Sequence, residues 1–324
     1  MPKVLMVMIF FVFSLSFAQD FVMGINFDAG GKFDGSFNEG TWNGFSQAIE
    51  ELSSENSVET LEFEGTPDTF ANGLREMANQ GADLIVAPGF AQGDAIMAIS
   101  SEFPDTKFVI IDALAEAPNV RSVLFREHEG SFLVGYIAGR LSQTGVVGFV
   151  GGMEIPLIQK FNVGYEDGVK KACPECKVIS NYIGVTPEAW SDPAKAKELA
   201  ALQHGQGVDI IYTASGASGT GVIDFVNETM CYKPDSLGID LRDTSLTQAV
   251  ANMAKSADYS AKCADAQPLF FIGVDINQNH LGDTDGDPAT LNHGLTSMLK
   301  RVDVAAYDAV KDVVAGNFVG VFRA

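Results

Sequence analysis

The sequence predicts an α/β protein made of two lobes, each built on a parallel sheet. Three observations predict it. Short β-branched or aromatic runs alternate with amphipathic stretches from residue 22 to residue 314, the pattern of repeated βαβ units. Roughly 306 residues follow the N-terminal apolar segment, more than one hydrophobic core holds before a chain divides. A polar stretch, Glu127-His128-Glu129-Gly130, follows the third strand and opens a new helix, which puts the break between lobes near Arg126.

Taken in order, the chain opens with Lys3, an apolar run over 4–17, and Ser16-Phe17-Ala18 ahead of Gln19-Asp20. A positive start, a short apolar core and small residues at the last and third-last positions are what signal peptidase reads, so 1–18 is expected to be a signal peptide cut near Ala18-Gln19. Gln19 stands where a lipid-anchored protein carries Cys, so no stable membrane anchor is expected. Strands are expected at 22–27, 84–87, 108–111, 146–150, 178–183, 210–213, 269–274 and 295–298, each a short apolar or β-branched run bounded by turn residues. Phe70, Leu74, Met77 and Ala78 share one helical face, with Asp68 to cap the start and Gly81 to end it. Further helices are expected over 42–52, 94–103, 130–142, 161–172, 193–204, 219–228 and 302–314. Residues 229–268 are polar, poorly periodic and bracketed by Cys231 and Cys263, and read as a surface excursion with no core role.

With 42 Asp and Glu against 21 Lys and Arg, the chain is repelled by nucleic acid and anionic membranes. Four cysteines in an exported chain read as two bridges with three possible pairings. One of these closes Cys173 and Cys176 locally and leaves Cys231 and Cys263 to staple the excursion.

In open parallel sheets ligands collect outside the carboxyl ends of strands. That rule selects Asp28 after the first strand, Gly89 and Phe90 after the second, Asp112 after the third, the 216–221 glycine loop after the sixth, Asp275 after the seventh and Lys300 after the eighth. The glycine loop has neither dinucleotide nor P-loop spacing and no Lys for phosphate, so close backbone packing is its expected use. Asp283, Asp285 and Asp287 superficially suggest a calcium loop, yet Gly286 is misplaced and no Glu stands at the twelfth position. No metal, cofactor or catalytic constellation is read from the chain.

Together, 28–38, with Asp28, Asp34, Phe37 and Asn38, Gly151 to Pro156 followed by Phe161 and Gly164, Gly273-Val274-Asp275 with Gln278, and Leu295 to Asp303 resemble the basic membrane protein family, also called the purine nucleoside receptor A family, over about residues 22–315. The resemblance implies a type I periplasmic-binding-protein fold: two Rossmann-like lobes, a hinge and a ligand cleft between the lobes. It implies lobe 1 over 19–127 plus about 293–316, lobe 2 over 128–292, and a chain that returns to the first lobe near Leu295. It also implies a periplasmic, monomeric, non-enzymatic substrate-binding protein that captures a nucleoside, expected to be a purine, for an inner-membrane ABC permease. Phe37 and Trp190 would sandwich the base, with core packing the alternative role for each; Asp28 and Asn38 would read its edge. Asp112, Asp275 and Lys300 would bind sugar hydroxyls, and Gly89 and Gly216 would admit the ligand to the backbone. A ligand sensor for a membrane receptor and an exported nucleoside hydrolase are the rival roles for the same chain.

Overall fold

The computed structural model describes residues 20–234, 238 and 240–323; the expected signal peptide lies outside them. The chain runs through β1 (Asp20–Phe27), α1 (Phe37–Ser53), β2 (Ser57–Glu64), α2 (Phe70–Asn79), β3 (Leu84–Pro88), α3 (Gly93–Glu102), β4 (Lys107–Ile111) and β5 (Val120–Val123). Next come α4 (Glu127–Leu141), β6 (Val146–Met153), α5 (Pro156–Ala172), β7 (Lys177–Gly184), α6 (Pro193–His204), β8 (Ile210–Ala214) and α7 (Gly219–Thr229). The excursion holds β9 (Cys231–Tyr232), α8 (Ser245–Asn252), α9 (Ala257–Lys262) and β10 (Gln267–Pro268). It leads into β11 (Phe270–Asp275), β12 (Gly294–Leu299), α10 (Val302–Val314) and β13 (Phe322–Arg323).

Two parallel sheets result, ordered β13-β5-β4-β3-β1-β2 and β12-β11-β8-β6-β7. Both are covered on two faces, which is why the central strands read as nearly continuous apolar runs. In the first lobe Phe45 of α1 and Val302 and Val310 of α10 pack on Phe21, Met23 and Ile25 of β1. On the opposite face Leu74, Met77, Ile96 and Ile99 of α2 and α3 cover Ile85, Phe108 and Ile110. Each fully buried side chain of this kind stabilises the fold by about 1.5–3 kcal/mol relative to exposure. In the second lobe α4 and α5 lie on one face, where Tyr165 of α5 packs on Phe149 and Tyr212 of the sheet, and α6 and α7 lie on the other over Ile211 and Phe271.

The α4 and α5 helices approach to backbone distance. A Cβ on Gly164 would stand 2.2 Å from the His128 carbonyl oxygen, and one on Gly168 2.1 Å from that of Phe132.

Strand β2 escapes the periodicity reading. Its residues, Ser-Val-Glu-Thr-Leu-Glu-Phe-Glu, form an edge strand that keeps its charged side chains in solvent. Two further expectations need correction. The segment beginning at 293 is expected in the first lobe, but β12 pairs with β11 at the edge of the second sheet. Only at α10 does the chain return to pack against α1, because the β-branched and apolar side chains of β12 have a free sheet edge beside β11. The excursion, expected to have no core role, buries Val250, Tyr259 and Cys263 in the core of the second lobe, and the buried Tyr232 donates its hydroxyl to the Gln143 side-chain oxygen at 3.1 Å. Its inward-turned side chains are scattered without helical or strand period, while charged residues such as Asp243, Asp258 and Lys262 stay exposed. Disulfides join Cys173 to Cys176 and Cys231 to Cys263.

Candidate functional site

A cleft of about 570 Å³, counting its opening to solvent, lies between the two sheets at the carboxyl ends of their strands. It brings together all nine residues picked from the sequence for ligand contact: Asp28, Phe37, Asn38, Gly89, Asp112, Trp190, Gly216, Asp275 and Lys300. The glycine loop serves close packing as expected at its far end, where a Cβ on Gly221 would lie 1.9 Å from the Pro193 carbonyl oxygen. The acidic loop closes on itself: Asp283 accepts from the Gly286 N–H at 2.8 Å and Asp285 from the Thr290 hydroxyl at 2.9 Å.

The 28–38 loop is held by Asp34, which the sequence reading did not select. One of its oxygens accepts from the Ser36 and Glu39 N–H groups at 2.9 and 3.1 Å. The other accepts from the Asn38 N–H at 2.9 Å and from the Asn38 side-chain amide at 3.2 Å. Asp34 therefore satisfies the first orphan N–H groups of α1 and aims Phe37 and Asn38 into the cleft. The Asn38 side-chain oxygen, Oδ1, accepts from the Asp28 N–H at 3.1 Å. The signal for Asp34 was present in the sequence, an Asp four residues before Asn38 at a helix start.

Gly89 adopts φ +111°, and a Cβ there would stand 2.1 Å from the Asp28 carboxylate, so only glycine leaves that carboxylate its place. The loop carrying Gly89 is pinned by Gln92, whose amide donates to the Asn26 and Pro88 carbonyl oxygens at 2.8 and 2.6 Å. Across the cleft, Trp190 ends a single helical turn, Pro187–Trp190. Its ring lies on Gly152, where a Cβ would be 2.3 Å from the indole. Ser218 ties this turn to the glycine loop by donating to the Ala189 carbonyl oxygen at 2.9 Å and accepting from the Asp192 N–H at 2.7 Å.

Asp112 and Asp275, each just at the end of a strand, have φ of +74° and +65°. Asp tolerates this left-handed conformation better than most residues, and such backbone outliers concentrate at binding sites. Asp275 accepts a 2.6 Å hydrogen bond from the Ser36 hydroxyl, and Gln278 donates to the Gly35 carbonyl oxygen at 2.7 Å, so the two lobes touch at this edge. Lys300 is buried with its ammonium 2.5 Å from Asp112 and 3.2 Å from Glu127. Glu127 was read only as part of a polar helix opening; nothing local marks it as buried. The rings of Phe37, Phe125 and Phe161 surround the same ammonium at 5.1–5.5 Å.

Burial pushes the Asp28 carboxyl up to about 6, partly opposed by the Ala29 N–H and reinforced by Asp34 and Asp112. Burial likewise pushes Asp275 up to about 6 against the pull of Lys300 and the Ser36 hydroxyl. Asp112 is raised by burial more than the Lys300 charge lowers it. For Lys300 burial pulls downward, but Asp112, Glu127 and Asp275 outweigh it, and the ammonium is held above its usual value.

A stability consequence follows. Carboxyls raised in the folded state stabilise it fully below their unfolded value and lose that contribution as pH rises through about 6. The ligand-free protein is therefore expected to melt at a higher temperature near pH 5 than near pH 7.5, and Asp275→Asn to flatten the slope. Calorimetry across this range checks it; a midpoint that rises with pH contradicts it.

Two parallel-sheet lobes that meet at a polar and aromatic cleft define a two-lobed solute-binding protein. The chain belongs to the family of PnrA-like ABC transporter substrate-binding proteins, whose profile matches residues 22–257. It is 30% identical over 308 residues, 94% of its length and 76% of the relative's, to the CD4+ T-cell-stimulating antigen of Listeria monocytogenes. It is 29% identical over 296 residues, 90% of its length and 75% of the relative's, to the ABC transporter nucleoside-binding protein BmpA of Lactococcus lactis. A solved ABC transporter solute-binding protein from Aeropyrum pernix superposes with a TM-score of 0.71 at 28% identity, covering 93% of this chain and 73% of that one.

Proposed function

We propose that this protein captures a nucleoside with a purine base in the periplasm, after loss of the signal peptide, and delivers it to the permease of an ABC importer. The observation that carries the reading is the lining of one cleft by two aromatic rings, Phe37 and Trp190, from different lobes, with carboxylates and a lysine beside them. Stacking holds any base by its faces, and directed polar groups then select among bases and grip the sugar. Asp28 and the amide N–H that Asn38 has left over suit the base edge; Asp112, Asp275 and Lys300 suit a vicinal diol. The nucleoside-binding relative in Lactococcus lactis supports the same substrate class. A ligand touching both lobes favours the closed arrangement by its differential affinity, and the closed surface is what the permease recognises.

The test is isothermal titration of the refolded mature protein with adenosine, guanosine, inosine, uridine and ribose. Tight one-to-one binding of purine nucleosides and none of ribose is expected; silence across the panel removes the nucleoside reading. Trp190→Ala and Phe37→Ala are each expected to weaken binding by about 5- to 150-fold, the worth of one stacked face. Unchanged affinity in both variants would show that the rings are packing residues.

A further inference from the structure

We propose that Glu127 is a positioning residue for the cleft, holding the Lys300 ammonium between the lobes so that one oxygen of Asp112 stays free for a ligand hydroxyl. The inference rests on the nucleoside reading above. An ammonium has three N–H donors. In Lys300 one is directed to Asp112 Oδ2 at 2.5 Å and a second is within reach of Glu127 Oε1 at 3.2 Å. Asp112 Oδ1, by contrast, is buried and accepts no hydrogen bond among the described residues. An unsatisfied buried carboxylate oxygen is costly, and a ligand hydroxyl entering the cleft satisfies it. If Glu127 carried no charge, Asp112 would be the one carboxylate among the described residues left in ion-pair reach of the ammonium, which would settle across both of its oxygens and close the acceptor.

The position of Glu127 is firmly set. It opens α4, where the helix N-terminus favours a negative charge. From outside the cleft Lys160 of α5 stands 3.7 Å from Glu127 Oε2 and supplies a second positive charge. Asp275 completes the set of charges acting on the ammonium. The Lys300 backbone is itself tied down, its N–H donating to the Asp275 carbonyl oxygen at 2.9 Å. With the stem anchored and three rings on the remaining sides, the head group's placement is decided by its two carboxylate partners.

The experiment compares wild type with Glu127→Gln, titrating each with inosine and with 2′,3′-dideoxyinosine, which lacks the diol. Inosine is expected to bind the variant at least about tenfold more weakly, and the dideoxy analogue less than about twofold more weakly. Equal losses for both ligands, or no loss for either, overturn the proposal. Glu127→Asp keeps the charge but retracts it by one methylene, and gives the same split should the Gln variant not fold. A second measurement needs no ligand: the ¹⁵N side-chain signal of Lys300, assigned through Lys300→Arg, titrates at lower pH in Glu127→Gln. An unchanged midpoint overturns the positioning role. If wild type binds no nucleoside at all, the proposed function fails while this titration still decides the part played by Glu127.

Discussion

Lys300→Met is expected to lower the unfolding free energy of the ligand-free protein by about 3–5 kcal/mol at neutral pH and to abolish nucleoside capture. The reason is the asymmetry of buried ion pairs. Replacing all partners together by apolar groups costs little, but removing one leaves the others charged without compensation. Here the side chains of Lys300, Asp112 and Glu127 are 3%, 6% and 1% exposed, so neither carboxylate has water to turn to. The pH dependence identifies the cause. Without the ammonium, Asp112 protonates more readily in the folded state, and its raised folded pKa makes the deficit smallest in acid and larger as pH rises. Urea unfolding at about pH 5 and about pH 7.5 reads both effects. A loss below about 1 kcal/mol at both pH values would mean that the cluster is solvated in solution.

The second large effect concerns the disulfides. Cys231→Ser with Cys263→Ser is expected to cost about 3–4 kcal/mol, because the bridge closes a 32-residue separation and restricts the unfolded chain accordingly. The bridge also holds the excursion that buries Val250 and Tyr259 in the core of the second lobe. The paired change at Cys173 and Cys176, only three residues apart, is expected to cost clearly less. Denaturant unfolding of the two double variants compares them directly. Equal losses would place the stabilisation in local packing around each sulfur and remove the chain-entropy account.

Much of the site was legible because its signals are local. A strand ending in Asp28, Asp112 or Asp275 announces itself through an apolar run followed by a turn-forming carboxylate, and the strand-end rule places such residues at a cleft. Asp34 is legible in principle as a helix-start carboxylate, but its spacing alone does not show that it orders the loop carrying Phe37 and Asn38. The β2 edge strand was not legible, since Glu59, Glu62 and Glu64 break any apolar run while leaving backbone pairing with β1 intact. Glu127 was read as a polar helix opening because burial is not a local property; the neighbours that bury it arrive from β4, α5 and the segment after β12.

By itself, the sequence determined the alternation of strands and helices and marked the strand-end residues that line the cleft, since side-chain period and turn chemistry act within a few positions. Only the tertiary structure decided that β12 completes the second sheet, that the excursion joins the core, and that Glu127 meets Lys300. Those outcomes depend on which surfaces lie free when distant segments come together, and no short window of residues carries that information.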